Sequence, residues 1–406
     1  MVTKFVGSQM PGDGAYSSSK MGMLVCRSAE LIVMRFCGLL CMFAKSLASP
    51  LMSTDQARDV SHPIGSGLPG SNASGSSASS SESSGSMSSG SKPSPPRASE
   101  PSRKFARIGH WLGLIRFSHT IFALPFACLA CVMAFHTPLE SGEMPLLRWR
   151  DLVGVLLCMV FARSAAMAFN RLVDRDIDGR NPRTVGRHLP AGVLTVRQVR
   201  VFTVICCLGF VASTAIFLPN PIPLIASLPV LLFLLGYSLA KRFTSAAHLW
   251  LGVALSLSPI GTWLAIRGGN AIALPSDLYP PIMLAVAVAA WVTGFDIIYS
   301  CQDAKFDRDV GLNSVPARFG IEGALKIAAI SHVVMLIALV GLLVVGQACG
   351  LGWIFAVALV GVAGLVIRQH RLVSPDDLDR VNQAFFDTNA IISVTLLIAG
   401  SLDCWW

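Results

Sequence analysis

Two short stretches, NRLVDRDID at 170–178 and DIIYSCQDAKFD at 296–307, place acidic and amide side chains at helical spacing where long apolar runs end. Each residue of an α-helix turns about 100°, so steps of four or seven return to nearly one face. Asn170, Asp174 and Asp178 therefore predict one polar stripe, and Asp296, Tyr299, Asp303 and Asp307 a second. Arg163, seven residues before Asn170, joins the first stripe deeper in its apolar run. A charge at that depth is costly and usually faces a polar cavity. Two carboxylate stripes at the mouth of one cavity repel each other, so a cation belongs between them. Carboxylates at short spacing, an amide oxygen and no imidazole suit Mg²⁺, a hard ion with oxygen ligands. Mg²⁺ usually takes one or two carboxylates and shares the rest of its shell with substrate phosphates. Arg116, Arg163, Arg183, Arg187, Lys241 and Arg242 could grip the same phosphates. The composite is a diphosphate site at one end of a hydrophobic bundle, and it fits a substrate with a diphosphate head and a long apolar tail. Either stretch alone reads most simply as a solvated helix end. Their recurrence at matching places in two halves of the chain argues for a site.

The elements that must carry these residues are membrane spans. The chain has 406 residues, 53% hydrophobic and 14% charged, with a mean hydropathy of +0.61. Soluble domains carry about 25% charged residues. Nine apolar runs approach the roughly 20 residues needed to cross a bilayer: 118–136, 151–170, 199–218, 221–239, 247–266, 279–299, 323–346, 350–368 and 384–403. Twenty basic residues fall on one side of this alternation and three, Arg148, Arg150 and Arg267, on the other. The positive-inside rule then puts the N-terminus and the basic loops in the cytoplasm and the C-terminus outside. The net charge of +9 is explained by this topology, and no nucleic-acid partner is expected. The two acidic stretches close the second and sixth spans on the basic side, which predicts a parallel internal repeat of four-span halves.

Residues 1–104 differ from the rest. Ser, Gly and Pro dominate 64–102, which predicts a disordered extension. The apolar patch within 21–49 is broken by Arg27, Glu30, Arg35 and Lys45 and is not taken as a span; it suits a targeting segment or an overextended start before Met52. Cys128 and Cys131 have C-x-x-C spacing inside an apolar run, with no neighbouring His or Cys cluster, and read as buried thiols. Asp376, Asp377 and Asp379 lack helical spacing and read as surface.

Four stretches together resemble the UbiA superfamily of intramembrane aromatic prenyltransferases. NRLVDRDIDGRNPRTVGRHLPAG resembles its first aspartate-rich motif and DIIYSCQDAKFDRDVGLNSVPARFG its second. YSLAKRFTSAAHLWLG (237–252) resembles its Lys-Arg loop, and RFSHTIFALPFA (116–127) the first span of its 4-hydroxybenzoate polyprenyltransferase-like branch. The resemblance covers 105–406 and implies nine helices around a central cavity, with two Mg²⁺ bridging an isoprenyl diphosphate. It implies that Asn170, Asp174 and Asp178 bind one ion and Asp303 and Asp307 the other. Arg163, Lys241, Arg116 and Arg183 would hold the diphosphate. The chain departs from the family in having Arg171 where Asp often follows the Asn, and Arg187-His188 where Arg-Pro is common.

The implied chemistry is transfer of a polyprenyl group from its diphosphate to a small carboxylated aromatic such as 4-hydroxybenzoate, in ubiquinone or menaquinone biosynthesis, in a bacterial inner membrane. The allylic cation left by the departing diphosphate needs dry, electron-rich walls; Phe117, Phe122, Phe126, Phe169, Tyr237, Phe295 and Tyr299 are candidates. Asp296, one turn above Tyr299, could accept the ring proton, and His119 could contact the acceptor or be a buried structural histidine. The rival from another class is an ion-coupled secondary transporter, whose carboxylates would sit near the bilayer midplane rather than at its edge. A CDP-alcohol transferase needs a tighter motif than Asp178-Gly179 begins.

Overall fold

A computed structural model describes residues 111, 113, 114, 120–374, 378 and 381–406. The expected extension at 1–104, together with Arg116, Phe117, His119, Asp376, Asp377 and Asp379, lies outside these residues. Every element among the described residues is helical. In chain order the helices are α1 (Thr120–His136), α2 (Trp149–Asp178), α3 (Val196–Thr214), α4 (Ile222–Ala240), α5 (Ala247–Ala273), α6 (Tyr279–Ser300), α7 (Ala304–Asp309), α8 (Val315–Val345), α9 (Trp353–Arg371) and α10 (Val381–Trp405). Eight segments are long and apolar enough to cross a membrane, and the apolar part of α1, Ala123–His136, is shorter. With the short α7 set aside, nine long helices match the nine expected spans.

The outer helices are apolar where they meet no protein. Ile225, Leu228 and Leu232 on α4 and Ile330, Ile337 and Val344 on α8 are exposed. Only lipid tolerates such surfaces at this density. α6 is the opposite: 67% of its span is buried, more than in any of the other seven long spans. Small residues let its neighbours close in. A Cβ on Gly252 of α5 would stand 2.3 Å from the Ala289 carbonyl oxygen, and one on Gly294 would stand 2.5 Å from His332 Nε2 of α8. α6 is thus the central post of the bundle. Its aromatic core joins α1, with Trp291 edge-on to Phe126 at 5.1 Å and to Phe295 at 4.9 Å.

Length sets the height of the first acidic stretch. α2 has 30 residues, about 45 Å at 1.5 Å per residue, against a hydrocarbon core of roughly 30 Å. Its last turns outrun the lipid and carry Asn170, Asp174 and Asp178 on continuous helix, as the spacing predicts. The second stretch does not continue as one helix. α6 ends at Ser300, a 3₁₀ turn follows at Cys301–Asp303, and α7 restarts at Ala304. Asp303 and Asp307 are therefore reached through a tightened turn and not along a single stripe from Asp296. The reason is local: Ser300 Oγ and Cys301 Sγ both bond back to the Ile297 carbonyl, at 2.8 and 3.4 Å. Side chains that compete for main-chain carbonyls in this way bend helices.

At the other end of the bundle, Arg267 of α5 bonds Asp277 (Nη2–Oδ1 2.5 Å), the carbonyl of Ala134 in the last turn of α1 and those of Thr137 and Pro138 just after it. Trp263 Nε1 donates to the same carboxylate at 3.0 Å.

Candidate active site

The segment after α2 folds back over the end of the bundle and brings the two acidic stretches to one cavity of about 1480 Å³. Asn181 Nδ2 donates to Asp303 Oδ1 at 3.1 Å. Arg183 donates through Nε to the same oxygen at 2.8 Å, through Nη2 to Oδ2, and through Nη1 to the Tyr299 hydroxyl at 3.0 Å. Arg187 Nη1 holds Asp178 Oδ1 at 2.6 Å, while Arg171 stands 3.9 Å from its Oδ2. Asn170 Nδ2 donates to Asp174 Oδ2 at 2.8 Å, and Arg242 approaches Asp174 Oδ1 at 3.5 Å. The repulsion expected between the carboxylates is thus screened by arginines lying among them. Burial alone would depress the Arg183 guanidinium, but the Asp303 carboxylate and Tyr299 outweigh it and raise its pKa above the ordinary value.

Asp178, Asp303 and Asp307 are buried. Oδ2 of Asp178 and Oδ2 of Asp307 have no hydrogen-bond donor, and an unpaired buried carboxylate oxygen is costly. Among the described residues no group of three or more His, Cys, Asp or Glu side chains forms a cage for a metal. The unpaired carboxylate oxygens of Asp178 and Asp307 are hard donors of the kind Mg²⁺ takes when it shares its shell with a bound phosphate.

Cations also line this cavity. Arg163 and Lys241 join no ion pair among the described residues, and the buried Arg163 Nε has no hydrogen-bond partner. Of the aromatic candidates, Tyr237, Phe295 and Tyr299 line the cavity. Phe126 does not: it is packed in the core against Trp291. Phe169 is not in the wall either.

Asp296 lines the same cavity and is held by a residue that sequence spacing missed. His248 Nδ1 lies 2.6 Å from Asp296 Oδ2. His248 sits in the Lys-Arg stretch 237–252, but nothing in its spacing ties it to a position 48 residues later.

A second cavity, about 1230 Å³, shares Arg163, Met167, Tyr237, Leu251 and Leu255 with the first. Small residues line it, among them Ala162, Ala226, Ala254 and Gly261. Along α2 its wall runs from Met167 to Val155, about 18 Å of helix. Phe217 stands at the far end, where a Cβ on Gly154 would come within 2.7 Å of its ring. A charged chamber thus adjoins an apolar one across these shared residues.

Comparison with known proteins agrees with this arrangement. A family model described as the UbiA prenyltransferase family matches residues 123–391. The chain is 30% identical over 249 residues to the 4-hydroxybenzoate octaprenyltransferase of Saccharophagus degradans, across 61% of this chain and 79% of that protein. It is 31% identical over 264 residues to the 4-hydroxybenzoate octaprenyltransferase of Aeromonas salmonicida, across 64% and 86%. Its fold matches the apo structure of a UbiA homolog from Aeropyrum pernix K1 with a TM-score of 0.60 and 32% identity, over 70% of this chain and 97% of that one. A UbiA homolog from Archaeoglobus fulgidus bound to DMAPP and Mg²⁺ matches at a TM-score of 0.53 and 18% identity, over 73% and 99%.

Proposed function

Since the chain belongs to the UbiA prenyltransferase family, we propose that it transfers an isoprenyl group from its diphosphate to a small carboxylated aromatic ring, with 4-hydroxybenzoate the leading acceptor. It is an integral multi-pass membrane prenyltransferase. Quinone biosynthesis, ubiquinone or menaquinone, is the pathway class. The observation that carries the reading is that the charged cavity and the apolar cavity share a wall at Arg163 and Tyr237. A diphosphate head fits the charged chamber and an isoprenoid tail the apolar one.

In this reading Asn170, Asp174 and Asp178, and separately Asp303 and Asp307, hold Mg²⁺. Arg163, Lys241 and Arg183 grip the diphosphate, with Arg116 from outside the described residues. When bound, Mg²⁺ supplies charge neutralisation for the leaving diphosphate. The arginines and lysine supply the same stabilisation from fixed positions, where it acts most strongly as the C–O bond breaks. Tyr237, Phe295 and Tyr299 face the allylic cation and keep water from it. The acceptor ring attacks the cation, and Asp296 takes the ring proton as aromaticity returns. The basic loops and the charged chamber lie at one end of the bundle; the positive-inside rule favours the cytoplasmic face for that end, and a bacterial inner membrane is the proposed location. Residues 105–406 form the catalytic unit and 1–104 an extension to it.

The test is to incubate the purified chain in lipid nanodiscs with geranyl diphosphate, Mg²⁺ and a panel of ring acceptors, and to identify products by mass spectrometry. Alkylation of a hydroxybenzoate, abolished by EDTA and restored by Mg²⁺, is the expected result. Alkylation of no ring in the panel, or alkylation indifferent to EDTA, overturns the reading.

A further inference from the structure

His248 is sealed, with 1% of its side chain exposed, while its partner Asp296 keeps 22% exposed and lines the charged chamber. The ring touches three elements. It belongs to the first turn of α5, its Nδ1 meets Asp296 of α6, and its Nε2 faces the Val315 N–H of α8 at 3.4 Å. A backbone amide can only donate, so Nε2 accepts and the ring hydrogen lies on Nδ1. His248 therefore donates to Asp296 Oδ2, which leaves Oδ1 for the chamber. The seam around the ring is stapled on both sides. Asn313 N donates to the Lys241 carbonyl at 2.7 Å, and Arg318 Nη1 donates to Ser245 Oγ at 3.3 Å.

We propose that His248 is a positioning residue for Asp296, fixing the orientation of the carboxylate so that Oδ1 faces the ring carbon that loses its proton. The proposal rests on the reading of Asp296 as proton acceptor and adds the residue through which that acceptor is aimed. In the step concerned, the ring carbon forms its bond to the isoprenyl carbon and the diphosphate has left with the C–O electron pair. The ring C–H proton passes to Asp296 Oδ1 and the C–H electrons restore the aromatic system. The hydrogen on His248 Nδ1 stays in place throughout. A sealed histidine with satisfied nitrogens is most often plain core. What separates this one is that its partner is a carboxylate open to the chamber, in the same acidic stretch as Tyr299 and Asp303.

The experiment uses the full chain in nanodiscs, geranyl diphosphate, and the acceptor alkylated fastest in the panel. The variants are Asp296→Asn, His248→Leu, His248→Asn and the double variant His248→Leu/Asp296→Asn. Turnover is read against the affinity for geranyl diphosphate with Mg²⁺. His248→Leu should lower kcat at least about tenfold, part of the range open to a general base, with affinity held within about twofold. His248→Asn should recover most of that loss, because its amide nitrogen can stand near the Nδ1 position. In the Asp296→Asn background His248→Leu should add nothing, since residues acting as one unit are not additive. If His248→Leu fails to assemble, His248→Gln replaces it; its amide reaches the Nε2 position instead, and it should lose kcat where His248→Asn keeps it. An unchanged kcat in the His248 variants, or a full extra loss in the double variant, overturns the positioning role alone. An unimpaired Asp296→Asn overturns the proton-acceptor reading and this inference with it.

Discussion

Arg183 gives three donors to two residues of the second acidic stretch, and its guanidinium carbon sits 5.2 Å from the Tyr299 ring centroid. A planar fork of donors can do this and a lysine cannot. Arg183→Lys should raise the KM for the isoprenyl diphosphate about tenfold, the worth of one charge-assisted hydrogen bond at roughly 1.5 kcal/mol, and initial-rate kinetics would show it. An unchanged KM would remove Arg183 from the diphosphate grip. Asp174→Ala and Asp303→Ala each strip one proposed ion site, and each should cut turnover at least about a hundredfold, as expected when preorganised charge stabilisation is lost. Full turnover in either variant would contradict the metal assignment. The α2 stripe could be read from sequence because Asn170, Asp174 and Asp178 share one helix and depend on the 3.6-residue period alone. The contacts of Arg183 with Asp303, 120 positions away, and of His248 with Asp296 could not, because no local period links residues on different helices.

Among the elements, hydropathy located every span, with ends within a residue for α4 and α6 and well short of the helix for others. The second span was expected to stop at 170, yet α2 runs on to Asp178. The seventh was expected to begin at 323, yet helix begins at Val315, N-capped by Ser314, and bends at Gly320 with φ +73°. Apolar runs stop where charges begin, whereas backbone hydrogen bonding continues until a cap or a competing side chain ends it. The left-handed φ at Gly320 is open to glycine at little cost. The join at the far end of the bundle has a different kind of specificity. Arg267 and Asp277 are buried together with all their bonds inside protein. Removing one partner strands the other's charge, at a cost of about 3–5 kcal/mol. Arg267→Ala should therefore lower the thermal midpoint in detergent markedly while kcat of the folded fraction at low temperature stays near that of the parent, since the pair lies at the end of α5 opposite the acidic chamber. A thermal midpoint equal to the parent's would show that the pair contributes nothing to holding α1, α5 and α6 together.

In the proposed reading the architecture of the whole molecule divides one substrate between two environments. The charge alternation between loops was legible in sequence and is the ground for the proposed sidedness. The apolar chamber was not, because its wall is drawn from five helices, α1 to α5, whose small residues look like ordinary membrane packing. Gly261 offers the sharpest probe of that chamber. It lies in its wall, and a Cβ built on it meets nothing within 4 Å. A larger side chain there starts in open space at the cavity wall. Glycine inside a helix is also a poor helix former, by roughly 0.8–1.0 kcal/mol relative to alanine, so Gly261→Leu should not weaken α5. The variant should keep transfer from dimethylallyl diphosphate within a few-fold of the parent, because a short tail stays near Arg163 and Tyr237. Transfer from longer donors should fall about tenfold or more, with the loss growing with tail length, as the leucine fills the path the tail must follow. Competition assays with a mixture of donor lengths, read by mass spectrometry of the products, give the ratio directly. An equal effect on all lengths would mean that the tail runs elsewhere, most simply out between helices into the lipid, and that the apolar chamber serves another purpose.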